Sequence, residues 1–327
     1  MDIAKIKKIL NAKNATLLVL LVVIIGFFGI AAKVTGSGVF FSRNNLLNIF
    51  NSMVIVALLT IGAGCLIISG SIDLSAGYVG TLCGIFVAHL ITNVGISWFF
   101  ALVLTILLGM LFGLLNAFLV NHLRIQAFIA TLATGYIAEG FSYSITPSGT
   151  VTLRNTPLNW LGSGRLLPFL HVAIVLAFAL FVIYGILLAK TEFGRSVYLV
   201  GGNPTAARLA GLNPKKVSYI LFMNCAALSS LAGVLLTARL GSSTVHGIKA
   251  SNFAGVTAAI LGGISFTGGS GGLGGAFLGL LIINSFNNGT SVMKVPSYYQ
   301  NVASGMLLLF ALFFDYVVAR RKRKMIA

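Results

Sequence analysis

The chain has 327 residues, of which 57% are hydrophobic and 8% charged, with 22 Lys and Arg against five Asp and Glu for a formal net charge of +17. In a soluble chain that balance points to nucleic acid. Here the basic residues lie between long apolar blocks, where they report membrane orientation, so nucleic acid is excluded as a partner and membrane lipid takes its place.

Apolar blocks lie near residues 15–32, 46–69, 76–92, 96–120, 126–146, 168–189, 217–240, 253–268, 273–291 and 298–319. Most approach the roughly 20 residues with which an α-helix crosses a bilayer, and a helix satisfies its own backbone groups in hydrocarbon. The expected fold is all-α, a polytopic transmembrane helical bundle of about ten spans, forming one domain over residues 1–327. Lys5, Lys7 and Lys8 open the first block, which reads as an uncleaved span because it reaches spanning length and further spans follow. Cys65, Cys83 and Cys225 lie inside apolar blocks without metal-ligand spacing, and no metal site is expected.

With ten spans both termini share a side, and the basic residues say which. One side holds Lys5, Lys7, Lys8, Lys13, Arg124, Lys190, Arg195, Arg208, Lys215, Lys216 and Arg320–Lys324; the other holds Lys33, Arg43, Arg154, Arg165, Arg239, Lys249 and Lys294. The positive-inside rule places both termini and the 190–216 loop in the cytoplasm and the 147–167 loop outside.

The second and third blocks are separated by Ser69-Gly-Ser-Ile-Asp73-Leu-Ser75-Ala-Gly77, and the seventh and eighth by the Gly-, Ser- and Thr-rich stretch 241–255. Five spans separate these breaks, and an odd offset inverts orientation. Spans 2–5 and 7–10 are therefore expected to be inverted repeats, an arrangement that places substrate beside broken helices. Gly109-x-x-x-Gly113-x-x-x-Ala117 and Gly271-x-x-x-Gly275-x-x-x-Gly279 put small residues on single helix faces, a packing signal that carries no chemistry.

The 190–216 loop carries Gly194 and then Gly201-Gly202-Asn203-Pro204-Thr-Ala206-Ala207-Arg208-Leu-Ala-Gly211. Asn203 suits an N-cap, Pro204 the first helical position, and Gly211 the C-terminal cap of about two turns. Such a short capped helix has the shape of a rigid lever that docks in a partner's groove. A connector with no partner is the plainer alternative.

Four segments in register carry a resemblance: Ser69–Gly77, Ile125-Gln-Ala-Phe-Ile-Ala-Thr-Leu132, Gly201–Gly211 and Ser297-Tyr-Tyr-Gln300. Together they resemble the permease subunits of ribose-type ABC importers, in order from about residue 43 to residue 318. The resemblance implies a permease in a bacterial plasma membrane that pairs with a second permease subunit, identical or paralogous. Two cytoplasmic ATPase subunits and an extracytoplasmic solute-binding protein complete such a system, and Asn203–Gly211 becomes the candidate ATPase-coupling helix. The chain has no G-x-x-x-x-G-K-[ST] loop, so it is not expected to be an enzyme or to bind a cofactor, and the partner subunits use the ATP and Mg²⁺. An ion-coupled secondary transporter is the alternative, although it needs ionisable intramembrane residues and the obvious ones are Asp73 and Glu139. A channel or membrane scaffold is a third possibility.

Intramembrane acids are functional candidates by default. Asp73, at the start of the third span, can cap that helix or face a pathway. Glu139 needs a cation, a wet cavity or a proton, and Arg239 and Lys249 are the nearest candidates by sequence, with a Glu139–Arg239 pair as the specific hypothesis. The chain departs here from the ribose-type pattern, in which an Arg commonly stands at the position of Glu139 and a Glu and an Asp at those of Asn252 and Ala254. Ser75, Thr131, Asn224, Asn284 and Asn288 complete the candidate lining of a translocation pathway for a monosaccharide or similar small polar solute, because hydroxyls and amides supply the donors and acceptors a sugar needs. Interhelical hydrogen bonding is the structural alternative for each.

Overall fold

A computed structural model of the chain describes residues 12–34, 38–153, 156–168, 170–296, 298–300, 302–310 and 312–313. Lys5, Lys7, Lys8, Arg154, Ser297, the basic run Arg320–Lys324 and the end of the tenth expected span lie outside the described residues.

The helices are α1 (Ala12–Val34), α2 (Arg43–Ile68), α3 (Ala76–His89, extended by the π-turn Leu90–Val94), α4 (Trp98–Asn121), α5 (Ala127–Ile145), α6 (Leu158–Ser163), α7 (Val172–Lys190), α8 (Glu192–Gly202), α9 (Pro204–Leu209), α10 (Pro214–Leu240), α11 (Ser251–Leu261) and α12 (Leu273–Val292). Residues 302–310 are also helical. Four short strands depart from the all-α expectation. β1 (Thr150–Thr152) pairs antiparallel with β4 (Ser242–Thr244), and β2 (Arg165–Leu167) with β3 (Leu170–His171), tying loops at one end of the bundle.

Among the described residues, six helices are long and apolar enough to cross a membrane: α1, α2, α3 with its π-turn, α4, α7 and α10. The chain is thus an all-α polytopic membrane protein by length and composition. The helix expected over 253–268 is corrected to α11, which stops at Leu261. Gly263 follows with a φ of +96°, a left-handed conformation that an ordinary helix cannot continue through.

Helices α2 and α10 form the centre. Every residue from Met53 to Ile68 is buried, as expected for a helix that is apolar all round and enclosed by others. Helix α10 packs against α2, α3 and α4, while α2 also meets α7, α11 and α12. The small-residue faces permit this closeness: a Cβ on Gly113 would lie 2.5 Å from the Phe222 carbonyl oxygen, and one on Gly279 would lie 2.2 Å from that of Ala258. Helices α1, α4 and α7 leave large apolar side chains such as Val22, Leu111 and Phe178 exposed, which suits contact with lipid.

Candidate functional site

The two breaks meet inside the bundle. Helix α2 ends at Ile68, and Ser69–Ser75 leads to the start of α3; α10 ends at Leu240, and 241–250 leads to the start of the 11-residue α11. Asn252 donates from Nδ2 to the Leu74 carbonyl at 3.1 Å, and the Ile248 amide donates to Thr81 Oγ1 at 3.1 Å. A Cβ on Gly77 would lie 2.8 Å from Asn252 Cβ and from the Lys249 carbonyl oxygen. The N-termini of α3 and α11 are therefore held side by side.

A polar knot fixes this meeting point. Asp73 is 1% exposed, and its Oδ1 accepts from the Ser75 amide at 2.8 Å and from Ser75 Oγ at 2.5 Å, closing an Asx-type turn immediately ahead of α3, whose N-cap residue is Ser75. Asn116 Nδ2 donates to Ser75 Oγ at 2.9 Å, and Thr134 Oγ1 donates to Asn116 Oδ1 at 2.6 Å. Thr131 Oγ1 accepts from the Leu74 amide at 3.0 Å while donating to the Ala127 carbonyl. Asp73 Oδ2 has no hydrogen-bond partner among the described residues. Asp73, Ser75 and Thr131 are thus brought together, and all three are buried. Sequence reasoning missed Asn116 and Thr134. Asn116 lies three residues after Gly113, on the packed face of α4, and that spacing is the signal that could have found it.

Glu139 does not pair with Arg239. Lys249 Nζ lies 2.6 Å from Glu139 Oε1 and 4.8 Å from the centroid of the Tyr78 ring, a geometry that adds a cation–π attraction to the ion pair. Arg239 instead donates to the Asn51 carbonyl at 2.6 Å, because its side of α10 faces α2 whereas the 241–250 segment carries Lys249 back across α3 toward α5. Glu139 is thus matched by a cation carried on the facing break, and at Asn252 an amide binds backbone.

The remaining pathway candidates are dispersed. Asn224 accepts from the Tyr184 hydroxyl, Asn284 donates to the Leu280 carbonyl at 2.9 Å, and Asn288 forms a reciprocal amide pair with Asn45 at 2.8 and 2.9 Å. A cavity of about 530 Å³ adjoins the start of α11, with Ser251, Thr257, Asn287 and Ser304 among its lining residues.

The 190–216 loop folds into two helices, of which sequence reasoning anticipated the second. Thr191 caps α8 by accepting from the Gly194 amide at 3.1 Å. Asn203 caps α9 by accepting from the amides of Thr205 and Ala206, both at 3.0 Å, with Pro204 at the first helical position. Gly211 has a φ of +84°, and the Leu212 amide returns to the Ala207 carbonyl at 3.0 Å, closing the helix. Ala207 is buried, whereas Arg208 is exposed and Leu209 is 86% exposed.

The end of α8 rests on the first break and on the 262–272 turn between α11 and α12. A Cβ on Gly201 would lie 1.8 Å from the Ile68 carbonyl oxygen and 2.8 Å from the Gly269 amide nitrogen. That same Ile68 carbonyl accepts from the Gly269 amide at 2.8 Å. Tyr198 donates to the Gly271 carbonyl at 2.8 Å, and burial raises its phenol above the ordinary tyrosine range, which keeps the donor proton in place. Backbone from α2, α8 and the 262–272 turn is therefore in direct contact.

Residues 45–312 match the family described as the permease component of the branched-chain amino acid transport system. The chain is 34% identical over 294 residues to the ribose import permease protein of Escherichia coli (strain K12), covering 88% of this chain and 90% of that one. It is 34% identical to the ribose import permease protein of Bacillus subtilis (strain 168), covering 83% and 84%. It is 30% identical to the xylose transport system permease protein of Haemophilus influenzae, covering 97% and 99%. No solved structure gives a significant match.

Proposed function

The chain belongs to the family of branched-chain amino acid transport system permease components, and from that premise we propose that it is the membrane-spanning permease subunit of a binding-protein-dependent ABC importer for a monosaccharide or similar small polar solute. The ribose and xylose names of its relatives support the solute class. ATP hydrolysis, with Mg²⁺, belongs to two ATPase subunits on the cytoplasmic side, and an extracytoplasmic binding protein delivers the solute. The chain crosses a bacterial plasma membrane about ten times with both termini inside, and its two break-containing halves are inverted repeats. In favour of the repeats, each break joins a long central helix, α2 or α10, to a helix whose N-terminus meets the other's.

The observation that carries this reading is the capped helix α9, with its exposed Leu209, standing just beyond the glycine contact that joins α8 to the first break and to the 262–272 turn. ATP-driven closure of the ATPases moves α9, and α8 passes the displacement to Ile68 and to the 262–272 turn. The pathway runs between two permease subunits. The polar knot of Asp73, Ser75 and Thr131 is packed on itself and frames the break, while the 530 Å³ recess forms part of the shared wall. Glu139 and Lys249 sit toward the outer opening.

Leu209→Asp tests the docking surface. Ala207 is the wrong probe, since a bulky group at a buried position would unseat α9 itself. Loss of an interface anchor costs about 2 kcal/mol or more. Uptake and substrate-stimulated ATPase activity should fall at least about ten-fold with the permease still inserted; unchanged activity in proteoliposomes would rule out α9 as the docking helix. The topology has its own test. Single cysteines placed at the exposed positions Arg165 and Arg208, in a background lacking Cys65, Cys83 and Cys225, should react with an impermeant maleimide in intact cells at position 165 only. Equal labelling would refute the ten-span arrangement.

A further inference from the structure

We propose that the groove between α3, α4 and α5 is a binding site for an anionic phospholipid, with an acyl chain against the helices and the headgroup phosphate on a basic rim at the end near α8 and α9. The groove encloses about 780 Å³ and is lined by apolar side chains that include Leu82, Leu111, Leu115, Phe118 and Phe141. Along α4 its lining runs from Leu108 to Phe118, a rise of about 15 Å, comparable to one leaflet of a hydrocarbon core roughly 30 Å thick.

One end of the groove is polar. Tyr219, on α10, is also a lining residue, and its hydroxyl lies 2.9 Å from His122 Nδ1. The His122 ring stacks on Phe118 with centroids 5.2 Å apart. Lys215 and Lys216 precede Tyr219 by four and three residues, which puts them on the same face of α10 one turn closer to its N-terminus. Arg124 follows α4 with a φ of +57°, a left-handed position that usually favours glycine. All three basic residues are exposed, and none has an ion-pair partner among the described residues. The described acids lie elsewhere: Asp73 in the polar knot, Glu139 with Lys249, and Glu192 with Arg195. An uncompensated positive rim at the mouth of an acyl-sized apolar groove selects a lipid with an anionic headgroup over a zwitterionic one.

The test uses the full-length permease in its importer complex, reconstituted in nanodiscs with trace spin-labelled phosphatidylglycerol or phosphatidylcholine. The immobilised fraction should favour phosphatidylglycerol. Each rim charge removed should weaken that preference about five-fold, so Arg124→Gln/Lys215→Gln/Lys216→Gln should abolish it, and these exposed positions leave the fold intact. Leu115→Trp, which fills the groove and spares the rim, should release both lipids alike. Equal immobilisation of the two lipids by the unaltered protein, or a preference that survives the triple change, overturns the proposal. Efficient disulfide cross-linking between copies carrying Leu111→Cys also overturns it, by showing that a second permease occupies the groove.

Discussion

Replacing Gly201 with Ala is expected to disable transport, whereas the same change at Gly202, its immediate neighbour, should be nearly silent. The new methyl at Gly201 would lie 1.8 Å from the Ile68 carbonyl oxygen and 2.8 Å from the Gly269 nitrogen, while a Cβ at Gly202 meets nothing within 4 Å. Both obstructing atoms at Gly201 are backbone and cannot rotate aside, so α8 must lift away from Ile68 and from the 262–272 turn. Overpacking of this kind costs about 1–3 kcal/mol, and it falls on the contact through which α9 would move the first break and the 262–272 turn. Uptake in proteoliposomes should drop at least about ten-fold for Gly201→Ala, with substrate no longer stimulating the ATPase. If Gly201→Ala and Gly202→Ala behave alike, the contact does not transmit the movement.

The second large effect is expected at the Glu139–Lys249 pair. Removing one member leaves the other without its partner at a site where the Glu139 side chain is 18% exposed and that of Lys249 is 36% exposed. The cost should exceed the ~0.2–1 kcal/mol of exposed pairs and stay below the ~3–5 kcal/mol of fully buried ones. Glu139→Gln and Lys249→Gln should each lower thermal stability and uptake, and the double change should lose less than the sum of the two. Arg239→Gln should show no such coupling to Glu139, because it detaches the Asn51 carbonyl instead. Strict additivity between positions 139 and 249 would show that the ion pair contributes nothing and that Glu139 acts alone.

Hydropathy placed the helices because the length and apolarity of a span are properties of contiguous residues. The ends of α9 were legible for the same reason: Asn203, Pro204 and Gly211 act within a few residues of their own backbone. Both breaks were visible as clusters of Gly, Ser and Thr. Helix α8 was missed because its glycines, Gly194, Gly201 and Gly202, read as loop, whereas Gly194 and Gly201 close against backbone only after folding.

The sequence by itself therefore determined the membrane class, the positions of the breaks and the capped ends of α9. Only the tertiary structure decided that Glu139 meets Lys249 and not Arg239, that Asn116 and Thr134 complete the knot around Asp73, and that Gly201 rests on Ile68. Those choices depend on the rotation of each helix about its axis and on the path of the 241–250 segment. Pairing of residues 110 positions apart, as at Glu139 and Lys249, is set by how neighbouring helices interlock, which no local pattern encodes.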